Sequence, residues 1–309
     1  MTRVRQQVRR LREAVRGAAR PDRTDEVLLA LGSLESRLQR LESPRTINDA
    51  EFKVFSQFGE DGAIQYLLAH VDVPERTFVE IGVESYRESN TRFLALHDNW
   101  RGMAVDGDVH HVEFIEGTDI GWRVDVTPVQ AFVTRETINE LLTANGFSGE
   151  LGLLSIDIDG MDYWVLEAMD VADPAILVLE YNSTFGPTEK VAVPYDPGFV
   201  CGQAHWSHLY YGASLSALTD LAGHRGYSLV GATTNAVNAF YVRNDLVGDL
   251  PTTTAAEAWR PSRFLASRDE AGGLSRIRDH RERLRTIRDE QLVDLAKDEV
   301  RTIADIYGV

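Results

Sequence analysis

The stretch "LLSIDIDGMDYWVLEAM", residues 153–169, is a short apolar strand that leads into a helix, with acids at the junction. The apolar run ends at Asp157, Asp159 and Asp162, and apolar residues of helical spacing follow Gly160. Carboxylates resist burial unless they are paired, hydrogen-bonded or bound to a metal ion. We therefore expect this strand end to be a binding site, in a sheet that alternates with helices.

Similar short apolar runs occur on both sides of this stretch. The five runs up to residue 182 are separated by crossover-length segments, which predicts a parallel sheet with helices on both faces. Only "TTNAV" separates the last two runs, which predicts an antiparallel pair. The fold class is therefore α/β, a Rossmann-like, seven-stranded, mostly parallel sheet with one antiparallel strand, plus helical extensions at both termini. The runs are "TFVEIG" (77–82), "GMAVDGD" (102–108), "WRVDV" (122–126), "LGLLSIDI" (151–158), "AILVLEYN" (175–182), "YSLVGA" (227–232) and "NAFYVR" (238–243).

Three segments follow from this pattern. Residues 1–43 form an N-terminal amphipathic helical segment, residues 44–248 the sheet domain, and residues 249–309 a polar connector and a long charged helix from about Leu274 to Tyr307. The first segment has the alternating four-and-three spacing of a coiled-coil seam, which favours a homo-oligomer or, equally, a helix packed on its own domain. The seam residues are Val4, Val8, Leu11, Val15, Val27, Leu31, Leu34, Leu38 and Leu41.

Composition excludes several classes of protein. The net charge of -16 argues against nucleic acid as a partner, because phosphate neutralisation needs a basic surface. Cys201 is the only cysteine, so no internal disulfide and no cysteine-based zinc cluster can form, as is typical of a reducing compartment. The N-terminus lacks a signal-peptide core and no segment approaches the roughly 20 apolar residues of a membrane span. We expect a cytoplasmic protein.

Acids stand at the carboxyl end of every parallel run. In open α/β sheets, ligands bind beyond these ends, near the point where the strand order reverses. Acids on successive strands therefore predict one site at one edge of the sheet. They are Glu80 with Gly82, Asp106 with Gly107 and Asp108, Asp125, Asp157 with Asp159, and Glu180 with Asn182.

Several motifs together resemble the FkbM-like, S-adenosylmethionine-dependent methyltransferases. They are "FSQFGEDG" (55–62), "FVEIG" (78–82), "NTRFL" (90–94), the opening stretch, "LVLEYN" (177–182) and "YYGASLSALTDLAGHRGYSLVG" (210–231). The likeness covers about residues 51–243, and the family's D-x-E-G pattern is matched by Asp157, Asp159 and Gly160. The layout is also similar to macrocin-type sugar O-methyltransferases. The resemblance implies O-methylation of a sugar or other secondary metabolite, as in antibiotic biosynthesis.

A set of residues fits an S-adenosylmethionine pocket. A carboxylate at the end of the second strand suits a ribose diol, because it accepts two hydroxyl hydrogen bonds, and Asp106 has that position. Asp125 would meet the adenine amino group and Glu80 the cationic amino-acid end. The turn "GVESYRESNT" lacks the glycines that a pyrophosphate requires, and S-adenosylmethionine has no phosphate. The remaining cofactor residues are Gln57, Gly82, Asn90 and Gly107.

Two mechanisms remain open for the acids of the fourth and fifth strands. Their oxygen ligands suit Mg²⁺ or Mn²⁺, which would activate the substrate hydroxyl. Asp157 and Asp159 can share one pocket only if the strand ends between them, which Gly160 favours. Without a metal, Asp157, His205 or His208 would act as the general base. The resemblance implies Asp157, Asp159, Glu180 and Asn182 as the metal ligands.

Rival classes share parts of this pattern. A glycosyltransferase with a D-x-D metal motif does not explain the acids on the earlier strands. A haloacid-dehalogenase-like phosphatase normally carries its motif on the first strand, not on the fourth. A non-catalytic oligomeric scaffold with a decayed cofactor site is the third alternative. The aromatic residues near the site either stack on a sugar or belong to the core; they are Tyr163, Trp164, Trp206, Tyr210 and Tyr211.

Overall fold

The structure is a computed structural model that describes residues 23–309. The helices are α1 (Thr24–Glu42), α2 (Glu60–His70), α3 (Arg92–Asp98), α4 (Val109–Glu116), α5 (Ile120–Arg123), α6 (Ile138–Ala144), α7 (Asp162–Ala168), α8 (Cys201–Ala204), α9 (Leu215–His224), α10 (Ala255–Ala258), α11 (His280–Thr286) and α12 (Ile303–Tyr307), with a 3₁₀ turn at Ser183–Phe185. The strands are β1 (Thr77–Ile81), β2 (Arg101–Asp106), β3 (Val126–Gln130), β4 (Gly149–Ile156), β5 (Ala172–Glu180), β6 (Val191–Ala192), β7 (Tyr227–Ala232), β8 (Asn238–Arg243), β9 (Gln291–Asp294) and β10 (Glu299–Thr302).

The main sheet has seven strands in the order β3-β2-β1-β4-β5-β8-β7. Strands β1 to β5 pair in parallel, and β8 is antiparallel to both β5 and β7. This confirms the predicted fold class, including the antiparallel pair. The strand order reverses between β1 and β4, so the ends of these two strands open the crevice in which ligands bind in such sheets.

The core lies on both faces of the sheet, because its central strands alternate apolar side chains between two clusters. Phe78 and Leu153 pack in one cluster, while Val79 and Leu154, their neighbours in sequence, pack in the other. All four side chains are fully buried. A strand that is apolar on both faces has no side for solvent, which explains the near-continuous hydrophobic runs in the sequence.

Strand β3 begins later than the sequence pattern indicated. The predicted run was residues 122–126, but Ile120–Arg123 form the short helix α5 and the strand is Val126–Gln130. Asp125 therefore precedes the strand and lies at the opposite edge of the sheet from the crevice, where its carbonyl accepts the amide of Gly102. Its predicted position at the end of the third strand was wrong, because the apolar residues around it belong to a helix and a connection.

Helix α1 packs on the domain through the face that carries Gly32, Ser36 and Gln39, and this face differs from the predicted coiled-coil seam. Gly32 is so close to Val54 that a Cβ there would lie 2.5 Å from a Val54 methyl carbon. Gln39 donates hydrogen bonds to the carbonyls of Ala50 and Gly62 at 3.0 and 2.8 Å. The seam residues of this helix are about half exposed or more: Val27, Leu31, Leu34, Leu38 and Leu41. The first half of the predicted seam, residues 4–15, lies outside the described residues.

The C-terminal segment is not the long helix that its charged sequence indicated. It contains α11, the β9–β10 hairpin and α12, and β9 also pairs with β6 in a second sheet of order β10-β9-β6. Leu284, Ile287, Leu292 and Ile303 are buried there against Phe185. The prediction of a helix from about Leu274 to Tyr307 was wrong, because these scattered apolar residues pack across a turn and a hairpin. No helix in residues 23–309 is long and apolar enough to cross a membrane.

Candidate active site

A cavity of about 720 Å³ opens at the carboxyl ends of β1, β2, β4 and β5. The segment after β3, residues 131–134, closes one side, and residues 262–268 with Arg283 close the other. The cavity therefore spans the strand-order reversal and continues under the C-terminal segment. The predicted site residues that line it are Gln57, Glu80, Gly82, Asn90, Asp106, Gly107, Asp157, Asp159, Glu180, Asn182 and His208. Asp125 and His205 do not line it.

Glycine is required where β1 meets the end of β4. Gly82 has φ +90°, and a Cβ there would lie 1.6 Å from the carbonyl oxygen of Asp157. The amide of Asp157 donates to the carbonyl of Ile81 at 3.0 Å, so the two chains stay paired past the end of β4. A larger residue at position 82 would separate the strand ends, so this glycine keeps the bottom of the crevice narrow.

Glu80 is buried and fully bound by the loop that follows β1. The hydroxyls of Ser89 and Thr91 and the amides of Asn90 and Thr91 all donate to its carboxylate, at 2.5–2.9 Å. Burial raises its pKa, and these hydrogen bonds act in the opposite direction. Asn90 extends the network by donating from Nδ2 to the hydroxyl of Ser155 on β4. Glu80 therefore shapes the wall of the cavity.

Asp106 ends β2 with both carboxylate oxygens in use. The amides of Glu84 and Asp108 donate to Oδ2 and Oδ1 at 2.7 and 2.8 Å, and Nδ1 of His111 lies 3.0 Å from Oδ1. The hydrogen bond to Asp106 raises the pKa of His111. Oδ1 therefore already takes part in two hydrogen bonds and Oδ2 in one, so Oδ2 keeps acceptor capacity for one hydroxyl of a ribose diol.

Three acids from β4 and β5 form a cluster in the cavity. Carboxylate oxygens of Asp157, Asp159 and Glu180 all lie within 4.8 Å of one another. Strand β4 ends at Ile156, and Asp159 has φ 51°, so the chain turns and both aspartates reach the cavity. Oε2 of Glu180 is buried and has no hydrogen-bond partner among the described residues. Glu180 is buried, Asp157 is half-buried and Asp159 is exposed, and none of the three forms an ion pair with a described residue.

The pKa values of the three acids are raised. Burial raises the pKa of Asp157 and of Glu180 well above the usual range, and the negative charges of the neighbouring carboxylates raise both pKa values further. Partial desolvation and the charge of Glu84 raise the pKa of Asp159, whereas His208 lowers it. A cation placed among these oxygens would reverse these shifts, because an opposite charge favours the ionised carboxylates.

Asp162 has a different role from the two aspartates before it. It is buried, and it accepts the amides of Ile158 and Gly160 at 3.0 and 3.1 Å. Burial raises its pKa to about 6, and these hydrogen bonds act in the opposite direction. Of the three acids in the opening stretch, this one holds the turn that directs Asp159 into the cavity.

The neutral and basic residues predicted near the cluster differ in their placement. Asn182 lines the cavity, but its Oδ1 accepts the amide of Thr184 and its Nδ2 donates to the carbonyls of Leu209 and Tyr211. We therefore leave it out of the proposed ligand set. His208 lines the cavity with φ 56°. His205 does not line the cavity, and its Nδ1 lies 2.7 Å from the hydroxyl of Ser207, so we leave it out of the proposed bases.

Two residues of the site were not assigned a role from the sequence, although Tyr211 was among the aromatic residues expected near it. Tyr211 lines the cavity, and burial together with the charges of Glu180 and Asp159 raises the pKa of its hydroxyl well above the usual value. Arg283 on α11 lines the same cavity. The aromatic side chain of Tyr211 was the only sequence feature that pointed to a role for this residue. No sequence feature distinguished Arg283, because the segment around it is rich in charges of both signs.

Comparison with known proteins identifies no family. No protein-family model and no curated protein matches this chain. Among solved structures, the N-terminal domain of EvdMO1 with SAH bound is 14% identical over 68% of this chain and 94% of that chain, with a TM-score of 0.38. Precorrin-6y C5,15-methyltransferase from Geobacter metallireducens is 19% identical over 62% of this chain and 92% of that chain, with a TM-score of 0.35. TehB from Haemophilus influenzae is 10% identical over 54% of this chain and 57% of that chain, with a TM-score of 0.33. The match therefore spans little more than half of TehB.

Proposed function

We propose that this protein is an S-adenosylmethionine-dependent methyltransferase of the FkbM-like type that methylates a hydroxyl of a sugar-like or other natural-product small molecule. The proposal rests on one observation, which is that two different groups of acids line a single cavity at the strand-order reversal. One half of it has a fixed carboxylate at the end of β2, suited to a ribose diol, and the other half has the uncompensated acid cluster. A nucleoside cofactor and a hydroxylated substrate would lie side by side in such a crevice.

The residues present fit a divalent metal ion of the Mg²⁺ or Mn²⁺ type. All three members of the cluster offer carboxylate oxygens, which these hard cations prefer, and the buried Oε2 of Glu180 has no other partner in the described chain. Asp157, Asp159 and Glu180 would hold the ion. When bound, it supplies a Lewis acid that lowers the pKa of a substrate hydroxyl.

The residues of the chain would orient both reactants and receive the hydroxyl proton. S-adenosylmethionine supplies an electrophilic methyl carbon when it is bound. Asp106 would hold its ribose, and Glu80 would keep residues 89–91 in place around the amino-acid end. His208 lines the cavity near Asp159, and its imidazole would take the proton from the substrate hydroxyl. The alternative base is Asp157, if no metal is required.

Calorimetric titration with S-adenosylmethionine tests the proposal. We expect Asp106→Ala to weaken binding by about 2 kcal/mol, roughly thirtyfold, because a charge-assisted hydrogen bond to the ribose is lost. Asp125→Ala is the matched control and should bind as the wild type does, because Asp125 is exposed and lies away from the cavity. No binding by the wild type, or equal binding by Asp106→Ala, would contradict the cofactor assignment.

Removal of metal separates this function from its rivals. With EDTA we expect methyl transfer to stop and S-adenosylmethionine binding to persist, and Mg²⁺ or Mn²⁺ should restore the activity. A D-x-D glycosyltransferase would instead bind a nucleotide sugar in a metal-dependent way and would not bind S-adenosylmethionine. A scaffold with a decayed site would bind neither ligand.

We also propose that the exposed seam of α1 pairs with the same seam of a second copy. The opposite face of the helix already packs on its own domain, and nothing within residues 23–309 buries the seam. A coiled-coil spacing makes two identical helices complementary. The double change Leu31→Glu and Leu34→Glu should reduce the assembly state measured by light scattering. It should alter the free energy of unfolding of the monomer by less than about 0.5 kcal/mol. The same subunit number in that variant would contradict the proposal.

A further inference from the structure

Arg283 is a buried cation without a counter-charge in the described part of the chain. The residue is only 6% exposed, yet it lines the cavity. Nε donates to the carbonyl of Ile277 at 2.9 Å and Nη2 to the carbonyl of Phe264 at 2.8 Å. No carboxylate in residues 23–309 forms an ion pair with it, and its Nη1 has no hydrogen-bond partner there. A guanidinium has five N–H donors, so most of its capacity remains available.

Another buried arginine in this chain shows the ordinary arrangement. Arg92 is 8% exposed, and its Nη2 lies 2.6 Å from Oδ2 of Asp25. Burying a charge is costly unless it is paired, so Arg92 has the partner that physical chemistry requires. The chain has more acids than bases, 48 against 32, so the lack of an acid beside Arg283 is not due to a shortage of acids. Its open side is the cavity.

A second arginine lines the same half of the cavity. Arg268 is half-buried, and its side chain has no hydrogen bond or ion pair with the described residues. Both arginines belong to the C-terminal segment, in which Arg283 ties residues 264 and 277 together. Tyr211 and the acids of the cluster line the same cavity as the two arginines. A cationic patch therefore adjoins the acid cluster within one cavity.

We propose that Arg283, assisted by Arg268, binds an anionic group of the substrate, so that the substrate is a hydroxylated small molecule with a carboxylate or a phosphate. The planar guanidinium can offer parallel N–H donors to either group, which a lysine cannot. The proposal deepens the proposed function, on which it rests for the identity of the reacting hydroxyl. The anion would hold one end of the substrate at the C-terminal segment, with a hydroxyl directed at the acid cluster.

Calorimetry with three probes tests this site on the full chain, with S-adenosylhomocysteine present and ionic strength constant. The probes are inorganic phosphate, D-glucuronate and methyl α-D-glucopyranoside. We expect at least one anionic probe to bind with a millimolar or lower Kd, and the neutral glycoside to bind at least tenfold more weakly. The comparison of phosphate with glucuronate identifies which anion the site prefers. Binding of the glycoside as tight as that of the better anionic probe, or no anion binding at 10 mM, would overturn the proposal.

Variants assign the binding to the residue. Arg283→Gln should weaken binding of the preferred anion at least tenfold, and Arg285→Gln, an exposed arginine of the same helix, should leave it unchanged. Equal loss in both variants, or none in Arg283→Gln, would overturn the assignment. If Arg283→Gln does not fold, Arg283→Lys keeps the charge but loses the two-pronged geometry, and its binding of the preferred anion should fall at least threefold. The wild-type comparison of the preferred anion with the glycoside tests the anion site without any variant.

The two proposals fail in different ways. If S-adenosylhomocysteine does not bind but anion binding still depends on Arg283, the methyltransferase assignment is wrong and the anion site stands. If S-adenosylhomocysteine binds and no anion does, only the anion site is wrong.

Discussion

Glu80 and Glu180 are both buried glutamates at the same edge of the sheet, but their surroundings differ. Glu80, on β1, accepts four hydrogen bonds from residues 89–91. Glu180, on β5, has a buried oxygen with no partner in the described chain and lies beside Asp157 and Asp159. A buried acid whose bonds are satisfied holds the fold together, whereas an unsatisfied one is ready to bind a ligand.

The largest effect expected from this difference is on activity at the unsatisfied site. Asp157→Asn and Glu180→Gln should each lower kcat about 10²- to 10³-fold, because a bound metal contributes several kcal/mol to transition-state stabilisation. The double variant should lose little more than either single variant, since ligands of one ion act as a unit. Thermal unfolding should show equal or higher stability, because the change removes like-charge repulsion. Asp170→Asn, exposed and remote, is the matched control.

Full activity in Asp157→Asn and Glu180→Gln would mean that the cluster binds no catalytic group. A large loss of stability in these variants would mean that the cluster, like Glu80, is structural.

The next largest effect is on stability at the satisfied site. Glu80→Ala should lower the free energy of unfolding by about 3 kcal/mol, because the donors of Ser89, Asn90 and Thr91 lose their shared acceptor in a buried loop. Denaturation in urea measures it, with Glu75→Ala as the exposed control on the same segment. S-adenosylmethionine binding should weaken as well, because the loop lines the cavity. An unchanged midpoint would show that the network contributes little.

The smallest effect concerns Asp61, an acid of mixed character. Its Oδ2 accepts the amides of residues 54–56 and the hydroxyl of Ser56, while Oδ1 is buried without a partner in the described chain. Burial raises its pKa to about 6, despite these hydrogen bonds. A raised carboxyl pKa favours folding at low pH, where the group is protonated, and this contribution is lost as the pH rises through about 6.

Wild-type stability should therefore fall between pH 5 and pH 7 by about 1 kcal/mol more than that of Asp61→Asn, which cannot titrate at this position. Urea denaturation at both pH values measures the difference. The same pH dependence in wild type and variant would show that Asp61 stays ionised in the native state throughout this range.

The seven strands of the main sheet, their mostly parallel pairing and the edge that holds the crevice were accessible from the sequence. Hydrophobic runs of strand length and their separations depend on local spacing, which requires no knowledge of distant contacts. For the same reason Glu80, Asp106, Asp157 and Glu180 were predicted at one edge: parallel strands place their carboxyl ends together. The pattern failed at Asp125, where apolar residues of a short helix were taken for a strand, and element boundaries depend on tertiary packing.

What each acid does was decided only by the tertiary structure. Glu80 and Glu180 have the same side chain and both stand at the end of an apolar strand, and they differ in whether a loop folds back to donate hydrogen bonds to the carboxylate. The fold of residues 259–309 likewise depends on packing against Phe185 and on pairing with β6, so its charged sequence did not reveal the hairpin. Arg283 belongs to the site for the same reason, because a residue far along the chain reaches the crevice only when the whole chain is folded. Burial and hydrogen bonding depend on contacts in space, and the local sequence does not show them.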